Sequence, residues 1–342
     1  MAKPETFRVA FLIEGGETAG LGHVERSKVL ATELARRGHR LTAAVRGPEG
    51  ILAERGWPDT DALCVLPRGV PAAGSDELSG FLSDNPPAWV CIDGYGFRDD
   101  GSIKALGNQG PRTLAFEDDS DTACQLSANI VINQNTRIPD ARTRDAAAEK
   151  ILSGPEFALV DDAFRRARSQ RPANELKRAL ITLGGSDPMG LTRPALDLLE
   201  RAAPGELEID LVVGPYFSDR GPFETQRHNV TIHQAPRTLA PLMAEADLVI
   251  TAAGTTCWQA CCLGRPIIAI VAAANQHEVA RTLDDAGAAL VCSAEDFAAP
   301  DFILRAEANL FENNTIRQAM ADKARALVDG RGAKRIADAM GL

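Results

Sequence analysis

No apolar run in these 342 residues approaches the roughly 20 that a membrane-spanning helix needs, so no spanning segment is expected. Basic clusters are missing too. Thirty-seven Lys and Arg against 47 Asp and Glu leave a net charge of −10, and no basic stretch is interleaved with aromatics, which argues against nucleic acid as a partner. The acidity does not exclude a small anionic ligand, whose binding depends on local N–H groups rather than on total charge. Cysteine occurs seven times, an odd number without paired metal-ligand spacing. Cys257, Cys261 and Cys262 share an apolar stretch of helical character and read as reduced core residues rather than zinc ligands. GxxxxGK[ST], a GxSxG elbow, low-complexity tracts and repeats of solenoid period are absent, which removes P-loop ATPases, elbow-type hydrolases and solenoids. No small-residue cleavage site accompanies the N-terminal MAKPETFRVAFLI, so the expected compartment is the cytoplasm.

What is present is a rhythm. Short apolar runs at Phe7–Ile13, Leu41–Val45, Trp89–Asp93, Thr113–Phe116 and Ile130–Ile132 alternate with amphipathic stretches, the pattern of βαβ units. A polar segment with a proline, Ala167–Leu176, interrupts it, and a second series follows at Arg178–Leu183, Ile209–Val213, Val230–Ile232, Leu248–Thr251 and Ile267–Val271. The sequence therefore predicts an α/β protein of two doubly wound domains facing a cleft, residues 1–165 and 175–342. The final stretch, Ala319–Met340, has helical spacing and is expected to pack back on the N-terminal domain.

Ligands of open α/β sheets sit beyond the carboxyl ends of strands, so the turns there are the candidate site. Gly20-Leu21-Gly22-His23 leads from the first strand into a helix: Gly22 lets a substrate approach the backbone, His23 can act on it, and the helix N-terminus favours an anion. A turn whose histidine merely packs is the plainer alternative. Three strand ends of the second half carry small, hydroxyl and amide residues: Gly184-Gly185-Ser186-Asp187, Gly254-Thr255-Thr256 and Asn275-Gln276. Together they could line a pocket for a diphosphate with its base and ribose. Glu117-Asp118-Asp119 with Asp121 reads as a solvated acidic turn more readily than as a cation site. His39 is expected to be a favourable charge after a helix, His228 and His233 to be surface residues, and Trp258 to pack in the core, while an approach of His277 to a phosphate is the lesser alternative at that position.

The chain also resembles a known family, the UDP-sugar hydrolase of pseudaminic acid biosynthesis with its spore-coat polysaccharide relatives and, more distantly, the transferase that completes lipid II. The resemblance runs from about Ile13 to about Gly287. Its residues are Gly20-Leu21-Gly22-His23-Val24-Glu25-Arg26, Ile92-Asp93-Gly94-Tyr95-Gly96, Phe116-Glu117-Asp118, Leu152–Leu159, Gly184–Pro188, Ala253–Trp258 and Asn275-Gln276. It implies two Rossmann-like domains in the arrangement called GT-B, a nucleotide held by the C-terminal domain, and hydrolysis of the anomeric bond of a UDP-linked amino or deoxy sugar without metal or cofactor. By the same resemblance His23 accepts the proton of the attacking water, Tyr95 stands near the reacting sugar, and Asp118 could orient His23 or the water. Gly185, Ser186, Gly254, Thr255 and Thr256 fall at the diphosphate, Gln259 at the ribose, and Asn275 and Gln276 near nucleotide and sugar. Departures are Leu12 and Glu14 where Arg and Asp are usual, Gly94 where His is usual, and Gln259 where Glu is usual. A GT-B glycosyltransferase with an unidentified acceptor is the alternative function, and a non-catalytic nucleotide-sugar sensor is a third.

Overall fold

The computed structural model describes residues 5–17, 19–67, 75–98, 102–107, 110–168, 175–219 and 221–342. They form two compact units, Met1–Leu159 with Arg331–Leu342, and Val160–Gly330. Of the expected linker, residues 169–174 lie outside the described residues.

The first unit contains strands β1 (Arg8–Glu14), β2 (Arg40–Arg46), β3 (Ala62–Val65), β4 (Trp89–Asp93), β5 (Arg112–Phe116), β6 (Ile130–Asn133) and β7 (Lys150–Ser153). All pair in parallel, in the order β3-β2-β1-β4-β5-β6-β7. β1 shows why a parallel sheet forms here. Val9, Phe11 and Ile13 pack into one core with the helix Gly22–Arg36, and the alternate residues Ala10 and Leu12 pack into a second core. Both faces are buried, so the strand reads as a continuous apolar run instead of alternating with polar residues.

The second unit repeats the plan with β8 (Arg178–Thr182), β9 (Glu208–Val213), β10 (Asn229–Gln234), β11 (Leu248–Ala252), β12 (Ile267–Val271) and β13 (Leu290–Ser293). These six are also parallel, in the order β10-β9-β8-β11-β12-β13. In each sheet the direction of winding reverses beside the first strand, between β1 and β4 and between β8 and β11. Loops leaving the carboxyl ends diverge at such a point and open a crevice.

The last helix, Gly332–Met340, belongs to the first unit. Its Ile336, Ala337 and Met340 are buried with Val24, Leu30 and Leu34 of the helix Gly22–Arg36. Gly332 makes the approach possible, since a Cβ there would collide with the carbonyls of Phe157 and Ala158. Among the described residues no helix is long and apolar enough to cross a membrane.

Two histidines differ from expectation. His39 accepts the backbone N–H of Phe7 at its Nδ1, 3.3 Å away, and burial followed by the charge of Arg37 lowers its pKa; it is a neutral acceptor rather than a helix-end charge. His228 is buried, with Nδ1 accepting from the Leu207 N–H and Nε2 donating to the Leu199 carbonyl. Its ring cross-ties two backbone segments instead of lying at the surface. His233, half-buried, bonds Asp210.

The packing of the last helix has a measurable counterpart. Ile336 is fully buried, so Ile336→Ala is expected to cost about 2–5 kcal/mol by loss of contacts and creation of a cavity, read from the urea unfolding midpoint.

Candidate active site

The helix Gly22–Arg36 begins one residue before His23. His23, Arg26 and Ser27 lie three and four residues apart and so share a helical face. That face meets the end of β4, because register pairs Ile13 of β1 with Asp93. Asp93 is 1% exposed and receives four bonds: His23 Nδ1 to Oδ1 at 2.6 Å, Arg26 Nη2 to Oδ1 at 2.6 Å, Arg26 Nε to Oδ2 at 2.8 Å and Ser27 Oγ to Oδ2 at 2.8 Å. Burial alone would raise the Asp93 carboxyl, but Arg26 and then His23 outweigh it and hold the pKa down at about 2.

An ionised carboxylate only accepts hydrogen bonds, so the short contact with Asp93 places the proton of His23 on Nδ1. Arg26 Nη2 lies 3.1 Å from that nitrogen because both donate to the same oxygen. In the neutral imidazole Nε2 then carries the lone pair, and it has no partner among the described residues. This is the tautomer a general base requires, and the carboxylate behind it stabilises the imidazolium formed when a proton is taken.

Arg26 also reaches a second carboxylate, donating from Nη1 to Oδ1 of Asp118 at 2.6 Å. Asp118 stands just beyond β5, where Asn135 donates to Oδ1 at 3.0 Å and the Tyr95 hydroxyl donates to Oδ2 at 2.7 Å. Burial would raise this carboxyl as well; Arg26, then His23, hold it well below the usual carboxylate range. The Tyr95 ring meets the His23 ring edge-on, with centroids 5.1 Å apart. His23, Tyr95 and Asp118 are thus brought together at the winding reversal. The orienting of His23 falls to Asp93, however, and not to Asp118 as the sequence allowed, because Asp118 is taken up by Tyr95 and Arg26.

The acidic turn is not the solvated one expected: Glu117 and Asp118 are buried, and the turn disperses its charges onto local donors. Glu117 turns Oε1 onto the N–H groups of Asp118 and Asp119, Asp119 caps the following turn at the Thr122 N–H, and Asp121 pairs with Arg142.

Of the second unit's three turns, two are spent on themselves. Asp187, at positive φ, accepts from the N–H groups of Leu191 and Thr192 and from the Thr192 hydroxyl, so its own carboxylate occupies the start of the helix Thr192–Ala202. The N–H groups of Leu191 and Thr192 at the start of that helix are therefore taken, while Gly185 and Ser186 stand in the turn before it. At the β12 end Gln276 Oε1 accepts the Ala272 N–H at 2.8 Å, bracing the loop in which Asn275 sits, while His277 is exposed at the start of the next helix.

The β11 turn differs. Helix Thr255–Leu263 has Gly254 as its N-cap, no capping side chain and no acid in its first turn. Its leading N–H groups and dipole thus face a potential anion. Thr255, Thr256 and Gln259 lie on one face, and Gln259 Oε1 is buried without a hydrogen-bond partner among the described residues. Such an orphan acceptor costs about 1–3 kcal/mol unless a donor arrives. Trp258, by contrast, is core.

Comparison with known proteins bears on this geometry. Residues 180–340 match the glycosyltransferase family 28 C-terminal domain. The spore coat polysaccharide biosynthesis protein SpsG of Bacillus subtilis is 24% identical over 341 residues, 96% of either chain. MurG of Acinetobacter baumannii superposes with a TM-score of 0.65 at 17% identity, covering 98% of this chain and 99% of that one. HepE of Anabaena, solved with UDP and glucose, gives a TM-score of 0.58 at 14% identity, again over 98% and 99%. The chain has the GT-B fold.

In this GT-B chain the partners missed by sequence reasoning are Asp93, Arg26, Ser27 and Asn135. The signal for the first three was available: a helix face carrying His, Arg and Ser at i, i+3 and i+4, and an acid ending a wholly apolar strand. Arg26→Met is expected to destabilise the protein by about 3–5 kcal/mol at neutral pH, since it strands two buried carboxylates. Because their folded pKa values lie below the unfolded ones, the pairing contributes stability above about pH 4 and loses it as pH falls toward about 2. Urea unfolding in a pH series should show the difference between wild type and variant shrinking on acidification.

Proposed function

We propose that the chain is a nucleotide-sugar hydrolase acting on a UDP-linked amino or deoxy sugar of the 2,4-diacetamido-2,4,6-trideoxyhexose class. The observation that carries this reading is the 2.6 Å bond from His23 Nδ1 to Asp93, which leaves Nε2 as a base of fixed tautomer. Water gives a proton to Nε2 as its oxygen bonds to the anomeric carbon; the carbon–oxygen bond to the diphosphate breaks and its electron pair leaves with UDP. Tyr95, whose hydroxyl donates to Asp118 and whose ring meets that of His23, stands beside the reacting sugar. In the second unit the uncapped helix Thr255–Leu263 takes the diphosphate, where donors matter most because charge gathers on the leaving group. Gln259 Oε1 accepts a hydrogen bond from a ribose hydroxyl. Gly185, Ser186, Asn275 and Gln276 surround the nucleotide. The UDP bound to HepE, a protein of the same fold, supports the choice of nucleotide.

A transferase is the second reading, favoured by the family 28 match, with an acceptor hydroxyl or amine in the place of water.

A nuclear magnetic resonance time course with UDP- and CMP-linked sugars, without acceptor or metal, separates the readings. Free sugar with UDP is the expected result, and His23→Ala should slow it ~10²-fold or more. Donors that stay intact until an acceptor is added would establish the transferase; tight UDP binding with no turnover under either condition would indicate a sensor. Gln259→Leu is expected to weaken UDP binding about 3- to 10-fold in calorimetry while leaving kcat little changed, the signature of a lost ground-state contact.

A further inference from the structure

Two glycines flank Tyr95, and neither is there for its backbone: among the glycines at positive φ, Gly94 and Gly96 do not occur. What they leave room for is Glu14, the last residue of β1. A Cβ on Gly94 would stand 2.6 Å from Glu14 Cγ, and one on Gly96 would stand 2.6 Å from Glu14 Oε1 and closer still to Arg46 Nη1. Glu14 Oε2 accepts the Gly96 N–H at 3.1 Å, and Oε1 accepts from Arg46 Nη1 at 2.9 Å. Arg46 comes from the end of β2 and lies 4.6 Å over the ring of the fully buried Phe97. The ion pair, with side chains only 13% and 12% exposed, fills the space under the turn Gly94–Gly96.

We propose that Glu14 is a positioning residue: its carboxylate, locked by Arg46, carries the Gly94–Tyr95–Gly96 turn and so sets where the Tyr95 ring stands against the imidazole of His23. Tyr95 is then held at three places, its backbone by Glu14, its hydroxyl by Asp118 and its ring edge by His23. The length of the Glu14 side chain is the specified quantity. Asp would keep the charge but fall short of the Gly96 N–H, and Gln would keep the length but turn an amide toward Arg46. A side chain at position 94 is compatible with the turn only when position 14 is smaller, so the residues at 14 and 94 exchange volume. The kinetic consequence rests on the function proposed above; the placement of Tyr95 does not.

The chain has two tyrosines, Tyr95 and Tyr216, in different units, which makes the placement observable. Protein labelled with 3-fluorotyrosine should give two fluorine resonances, assigned by Tyr95→Phe. Glu14→Asp, Glu14→Gln and Gly94→Ala are each expected to move the Tyr95 resonance and leave that of Tyr216 in place. On a UDP-sugar that is turned over, Glu14→Asp should lower kcat about tenfold or more with KM changed by less than about twofold, since misplacement by a fraction of an ångström acts on the transition state. A Tyr95 resonance that stays put in both Glu14→Asp and Glu14→Gln overturns the proposal, whichever donors react. If the resonance moves as expected and no donor is hydrolysed, the positioning stands and the hydrolase reading falls.

Discussion

One buried carboxylate organises the first unit. Asp93 takes a proton-bearing nitrogen of His23, both arms of the Arg26 fork and the Ser27 hydroxyl, so all of its lone pairs are engaged. Removing such an ion from water costs several kcal/mol, and only this density of donors repays it. The same constraint explains why the helix Gly22–Arg36 starts where it does. His23, Arg26 and Ser27 must arrive together on one face, and Arg26, once committed to Asp93, has one nitrogen left for Asp118. Through Asp118 the constraint extends to Tyr95 and Asn135. Histidine, tyrosine and two acids from the ends of three elements are in this way fixed around a single guanidinium.

The two sheets use one topological device for different chemistry. At the first reversal of winding the crevice is lined by ionisable side chains that bond one another. At the second it is lined by glycine, two threonines and a glutamine, with a helix start that no side chain caps. The first arrangement suits moving a proton between fixed positions; the second suits receiving an anion that comes and goes.

The architecture was legible in the sequence because both sheets are parallel. Their strands are buried on two faces, so each appears as an apolar run such as FRVAFLI, and the intervening helices give the second period. The position of His23 was legible for the same reason: it follows such a run by a glycine-rich turn. What the sequence did not reveal was partnership. Asp93 and Asp118 both follow apolar strands, and nothing in their spacing says which one meets His23; the pairing of Ile13 with Asp93 across β1 and β4 decides it. The role of Asp187 was hidden for a related reason, since nothing in a glycine-rich turn before a helix says that its aspartate folds back onto the helix start. Glu14 and Gly94 each looked like an isolated departure, and only their contact shows that they occupy one volume.

The last helix carries a consequence for the order of assembly. Because Gly332–Met340 completes the core around Val24, Leu30 and Leu34, the first unit to be translated is the second to be finished. While the ribosome makes residues 160–330, an entire folding unit of its own, the earlier one waits with an apolar stripe uncovered. Vectorial synthesis therefore leaves this chain with a long interval in which the half bearing His23 exposes surface that a chaperone, or another nascent copy, would find adhesive.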